Sequence, residues 1–217
     1  MIRNYFFVLL SSLFFVVPIL SQDADEINNK AAGYLLALAQ EKNITKKEFI
    51  ELKDLFTNVD TDLLETKYHS HNSAFDSLRS HLQKYEKDKI GIDADSSLVL
   101  FVDWYLHFQR TFYNYNRKNF FNSSKAKILF FTTSVSCRCT MEMCRKQLIE
   151  ILNLKKMSGD AYSFLVVDSY WNNDLQLKYE SYFAPSVLIF NGSNEILSLI
   201  EYDEKMSEKL NESLKKM

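Results

Sequence analysis

Glycine and proline are scarce in this chain, 4 and 2 of 217 residues. With 17 Phe and 12 Tyr beside them, that scarcity excludes a low-complexity chain and leaves a folded protein. The length allows one large domain or two small ones. The two prolines are Pro18 and Pro185, so each carries positional meaning. Charge of one sign is lacking too. The net charge is -2 and no dense Lys/Arg stripe occurs, which excludes a nucleic-acid footprint. Cysteine is limited to Cys137, Cys139 and Cys144. Three thiols so close together exclude a scaffold of disulfides tying distant loops, and an odd number leaves at least one unpaired within the chain.

The N-terminus reads as an export signal. Arg3 supplies positive charge, Tyr5 to Val17 is almost wholly apolar, and Pro18 precedes small or polar residues around Ser21. The apolar core falls short of the roughly 20 residues of a comfortable membrane span. The expectation is therefore a signal peptide over residues 1–22, cleaved near Ser21 or Gln22, and no membrane span once it is removed. The alternative is an uncleaved anchor carrying the same outward-facing domain. No cysteine follows the apolar run, so a lipoprotein anchor is not indicated. Either way the protein is expected to be exported, periplasmic or secreted, and its thiols to meet an oxidising compartment. Asn43, Asn122, Asn191 and Asn211 each begin an N-x-S/T sequon, which matters in a eukaryotic secretory route.

From Asp23 to about Asn119 the pattern is helical, predicting an all-α region of about four helices over residues 23–120. Ala31, Leu35, Leu38 and Ala39 share a face. Thr45 with Glu48 has the spacing of a capping box. Tyr68, Phe75, Leu78, Leu82 and Tyr85 form a second stripe. Gly91 to Ser97 reads as a break. Leu98 to Tyr115 resumes with Phe101, Trp104, Tyr105, Phe108, Phe112 and Tyr115, expected to pack as core. Asn119 to Lys125 is a polar connection.

Residues 126–217 read differently. Lys127 to Thr133 is a strand by its apolar run. A cysteine cluster follows, then an amphipathic helix from Met141 to Met157. Tyr162 to Val167 is a second buried strand, and Asn173 to Tyr182 a short helix. Pro185 opens a strand from Ser186 to Phe190, and Asn191-Gly192 signals a hairpin. Glu195 to Tyr202 is the last strand and Lys205 to Lys216 a terminal helix. A helical crossover makes the first two strands parallel, and the hairpin makes the last two antiparallel. The fold class is α/β: a four-stranded mixed sheet flanked by helices, preceded by the all-α region.

The chemistry-bearing segment is Lys127 to Cys144, KILFFTTSVSCRCTMEMC. It places Cys137 between a strand and a helix start, where unpaired N–H groups and the helix dipole favour thiolate over thiol. Arg138 pushes the same way.

From about Lys127 to Lys216 the chain resembles the thioredoxin-like superfamily. KILFFTTSVSC is similar to that family's first core strand ending at its nucleophilic cysteine, and FAPSVLIFNGSNEILSLIEY to its proline strand and hairpin. The resemblance implies that Cys137 is the attacking cysteine. It also implies that Ala184–Pro185 is a cis bond, with Pro185 facing that cysteine. The family's C-x-x-C is replaced by Cys137-Arg138-Cys139, with Thr140 at the place of the second cysteine. Ser136 replaces an aromatic residue, and Phe130 and Phe131 stand where the preceding strand often carries an acid.

Three readings of the cysteines stay open. In the first, Cys137, Cys139 and Pro185 form a thiol–disulfide exchange centre acting on protein or peptide thiols or disulfides, with an unidentified redox partner and no cofactor. A Cys137–Cys139 disulfide closes a small ring, and such bonds tend to be oxidising. In the second, Cys137, Cys139, Cys144, Met141 and Met143 gather a soft metal, Cu(I), as a copper chaperone would. The distant histidines available to that reading are His69, His71, His81 and His107. In the third, the fold serves only as an interaction module.

Overall fold

The computed structural model describes residues 24–42, 46–57, 66–68, 70 and 72–215. The expected signal segment, Asn43, Thr45, His69 and His71 lie outside the described residues. Among the described residues, no helix is long and apolar enough to cross a membrane.

The first part is helical: α1 (Ala24–Ala39), α2 (Lys46–Thr57), α3 (Asn72–Asp88), α4 (Ala94–Thr111) and α5 (Tyr113–Asn122). The interior is dominated by rings. Tyr34, Phe49, Tyr85 and Phe101 cluster at one end and Phe56, Phe75, Trp104, Phe108 and Phe112 at the other, with centroids about 5 to 6 Å apart. Of the aromatics expected as core after the break, Phe101, Trp104, Tyr105, Phe108 and Phe112 are buried, while Tyr115 is half-buried at the edge of the cluster, where it meets the Tyr68 ring. Two boundaries differ from the sequence reading. The break before α4 ends at Asp93, whose carboxylate accepts the Ser96 N–H as an N-cap. The helix expected to stop at Tyr115 instead bends at Phe112 and continues as α5 to Asn122, so the polar connection is only residues 123–125. Apolar spacing runs through the bend, which is why periodicity did not mark it.

The second part runs β1 (Ala126–Thr132), α6 (Arg138–Ser158), β2 (Tyr162–Asp168), α7 (Asp174–Lys178), β3 (Ser186–Phe190), β4 (Ile196–Glu201) and α8 (Met206–Leu214). The strand order is β2-β1-β3-β4. β1 pairs β2 in parallel and β3 antiparallel, and β4 is antiparallel to β3. This is the thioredoxin-like four-stranded mixed sheet that the resemblance implied, and Ala184–Pro185 is cis. Alternating residues of β1 are buried on opposite faces, as a central strand requires. Ile128 and Phe130 meet α6 through Leu148, Ile151 and Leu152. Leu129 and Phe131 join Phe120 and Leu175 on the other face.

One apolar cluster continues from Leu35 and Phe101 of the helical part into Phe130, Val166 and Val187 of the sheet. Lys127 breaks the apolar pattern of β1. Its side chain is buried, and its ammonium donates to the carbonyls of Lys125, Asn191 and Gly192 at 3.0–3.3 Å. It therefore pins the β3–β4 hairpin to the start of β1. Gly192 is needed for proximity: a Cβ there would lie 2.4 Å from the Ser124 carbonyl oxygen. The left-handed position of this turn is Asn194, at φ 67.

Candidate functional site

β1 and α6 position the cysteines. β1 ends at Thr132, the loop turns over residues 133–136, and Cys137 is the N-cap of α6 with extended backbone. The helix thus begins three residues earlier than its apolar spacing indicated. Arg138, Cys139 and Thr140 lack helical periodicity, yet their backbone is already wound, and the Met141 N–H donates to the Cys137 carbonyl at 3.0 Å.

The winding turns Cys139 back toward Cys137. Their sulfurs are 2.8 Å apart, both residues are exposed, and both are free thiols. The Thr140 hydroxyl is 3.1 Å from the Cys137 sulfur. The Cys139 sulfur foremost, then the Thr140 hydroxyl and N–H, bring the Cys137 thiol down to about 7. Arg138 is not among these groups. Its side chain points into solvent and pairs with Glu142 one turn on at 2.9 Å, so the expected push on Cys137 is spent elsewhere.

Cys144 stands apart. It is buried, with the Thr132 side chain and the Thr133 N–H as hydrogen-bond partners, and burial holds its thiol up. Met141 is exposed and Met143 half-buried. Among the described residues no three His, Cys, Asp or Glu side chains converge as a metal site. His81 and His107 meet each other, Nδ1 to Nδ1 at 2.7 Å, on α3 and α4.

Beside the thiols runs a groove of about 470 Å³. Thr133, Ser136 and Thr140 form one bank; Phe183 and Ala184, just before Pro185, form the other, with Gln176 and Tyr202. The groove brings the cysteine loop and the Pro185 loop to one place. Its surroundings are rich in exposed rings: Tyr170, Trp171, Tyr182, Phe183 and Tyr202. A larger cavity of about 750 Å³ lies between α1 and β2, lined by Asn28, Gln109 and Lys155 among others, and has no sulfur in its walls.

Two residues at the site were not singled out in the sequence. Asp168, the last residue of β2, carries a fully buried carboxylate. One oxygen accepts the N–H groups of Ser134 and Tyr170 at 3.1 and 3.3 Å. The other accepts from Arg110 of α4 at 3.3 Å. The signal was a lone charge closing an apolar strand beside the cysteine strand. Arg110 also lies over the Trp171 ring, 5.3 Å from its centroid.

No protein-family model matches the chain. No curated protein matches it either. Among solved structures it is similar to the germline-specific thioredoxin Deadhead from Drosophila melanogaster, at 17% identity and TM-score 0.40, covering 48% of this chain and 92% of that one. Fasciola hepatica thioredoxin is similar at 17% identity and TM-score 0.38, covering 46% and 88%. A thioredoxin from Trypanosoma brucei brucei is similar at 17% identity and TM-score 0.36, covering 46% and 80%. These likenesses take in about half of the chain. By its own strand order, the part from β1 to α8 has a thioredoxin-like fold.

Proposed function

We propose that this chain is an exported thiol–disulfide oxidoreductase acting on protein or peptide substrates through Cys137 and Cys139. The observation that carries the reading is the pair of exposed sulfurs 2.8 Å apart at the N-terminus of α6, between Ser136 and Thr140, which line a groove. The lowered Cys137 thiol supports it as the attacking group.

In the reducing direction, the Cys137 thiolate attacks one sulfur of a substrate disulfide. The substrate S–S bond breaks, a Cys137–substrate disulfide forms, and the other substrate sulfur leaves as thiolate. The Cys139 thiol loses its proton and attacks the Cys137 sulfur. The mixed disulfide breaks and the second substrate thiolate leaves. Two electrons have passed to the substrate, and Cys137–Cys139 is a disulfide that a redox partner must reduce. The same steps in reverse oxidise a substrate dithiol. The exposed rings along the groove suit an extended polypeptide with apolar side chains near its cysteine. Insulin-reduction and refolding assays with peptide mass mapping test the reading. Cys137→Ser is expected to abolish exchange and Cys139→Ser to trap a mixed disulfide. Unchanged turnover in Cys137→Ser overturns it.

The same exposed pair favours one second reading, Cu(I) held between the Cys137 and Cys139 thiolates. Cys144 does not join that set as placed, being buried against Thr132. Anaerobic Cu(I) titration tests it. No uptake that depends on both cysteines excludes it.

A further inference from the structure

The loop that presents Cys137 has no apolar anchor of its own. Val135 is exposed, and the Thr133 side chain bonds only within the loop, donating to the Val135 carbonyl and accepting the Val135 N–H. Besides the Thr133 N–H at the Cys144 sulfur, the loop's link to the body is Ser134. Its N–H is held by the Asp168 carboxylate, and its hydroxyl is 3.5 Å from Arg110. The same carboxylate holds the N–H of Tyr170, which lines the groove, so the cysteine loop and the start of the segment after β2 are held by one buried anion.

A buried carboxylate needs a counter-charge. Here it comes from Arg110, near the end of α4, in the helical region preceding the sheet. We propose that Arg110 is a positioning residue for the thiol centre: through Asp168 it fixes Ser134 and neutralises the anion beneath the Cys137 loop. The inference rests on the exchange reading above and gives the helical part a role in it.

The groups facing one another here are few. Asp168 faces Arg110 from α4 and the Cys144 thiol from α6. Arg110 also acts on His107, one turn earlier on α4. Cys137 faces Cys139, Thr140 and Ser136, while Arg138 is turned to Glu142. Without Arg110, an uncompensated carboxylate opposes a thiolate nearby. Without the Asp168 charge, a bare guanidinium favours it.

The test uses the full chain. Cys137 alkylation by iodoacetamide is followed against pH by mass spectrometry; cleavage after Arg138 puts Cys137 and Cys139 on separate peptides. Arg110→Met is expected to raise the alkylation midpoint and slow the reaction at neutral pH by roughly twofold to fivefold. Asp168→Asn is expected to lower the midpoint. Its amide oxygen still accepts from Ser134 and Tyr170. The double variant is expected to return to the parent value, and Arg110→Lys to stay near it. A merely structural role would move both single variants the same way. If Arg110→Met does not fold, Asp168→Asn decides: an unchanged or raised midpoint overturns the proposal. If parental Cys137 reacts no faster than an ordinary exposed thiol, the exchange reading falls instead. If it reacts as expected and the variants do not shift in opposite directions, only the role of Arg110 falls.

Discussion

The Thr140 hydroxyl lies 3.1 Å from the Cys137 sulfur, at the place where the thioredoxin-like pattern has its second cysteine. A hydroxyl donating to sulfur stabilises the anion, so its removal must push the thiol up. Thr140→Val is therefore expected to raise the Cys137 midpoint above about 7. Alkylation at pH 7 should slow by roughly threefold. In the parent, reactivity should rise with pH through the midpoint, with about a tenth of the thiol ionised one unit below it and about nine tenths one unit above. A rate-against-pH curve for both proteins checks the shift.

Thiol accessibility should divide two to one. Cys137 and Cys139 are exposed and Cys144 is buried, so a colorimetric thiol reagent should count two thiols in the folded, reduced protein and three after denaturation. Cys144→Ala should leave exchange intact and cost about 1 kcal/mol, the scale of deleting one buried methyl-sized group. Urea unfolding measures that cost. Loss of exchange in this variant would place Cys144 in the chemistry.

Lys127→Met keeps the length of the side chain and removes the ammonium that three carbonyls share. The expected loss is roughly 2–4 kcal/mol, the range for stranding buried acceptors. Burial lowers the Lys127 pKa, so the folded chain sheds this proton at a lower pH than the unfolded chain does, and folding of the parent is favoured as the pH rises through that lowered value. Denaturation midpoints for parent and variant should draw further apart across alkaline pH.

Gly192→Ala is expected to destabilise by roughly 1–3 kcal/mol, because the added carbon meets the Ser124 backbone oxygen at 2.4 Å. Thermal unfolding reads the effect. Cys137 alkylation should not change, since the hairpin lies away from the cysteine loop.

What the sequence made legible follows from which forces are local. Ser186 to Phe190 was bounded correctly because an apolar run sits between a proline and a turn residue. The parallel and antiparallel pairings followed from connection length alone. The start of α6 was misplaced because its first turn faces solvent and carries no apolar stripe. Asn173 to Tyr182 shrank to the five residues of α7, since Leu175 is the one apolar side chain buried in that stretch. Asp168 and Arg110 escaped notice for another reason. They lie 58 residues apart, and each alone reads as an end-of-element charge. Only the folded chain puts one beneath the cysteine loop and the other beside it.

The apolar cluster shared by the helices and the sheet has a practical consequence for anyone wishing to isolate the sulfur chemistry. A fragment cut at residue 126 would uncover Val166 where α4 had packed on β2 and the side of α6 where α1 had packed, and would strand the Asp168 carboxylate without its cation. The reactive pair is not a cassette to be lifted out and grafted elsewhere. The helices α1 to α5 complete the core of the domain that presents it, and α4 supplies the cation for the carboxylate beside its loop.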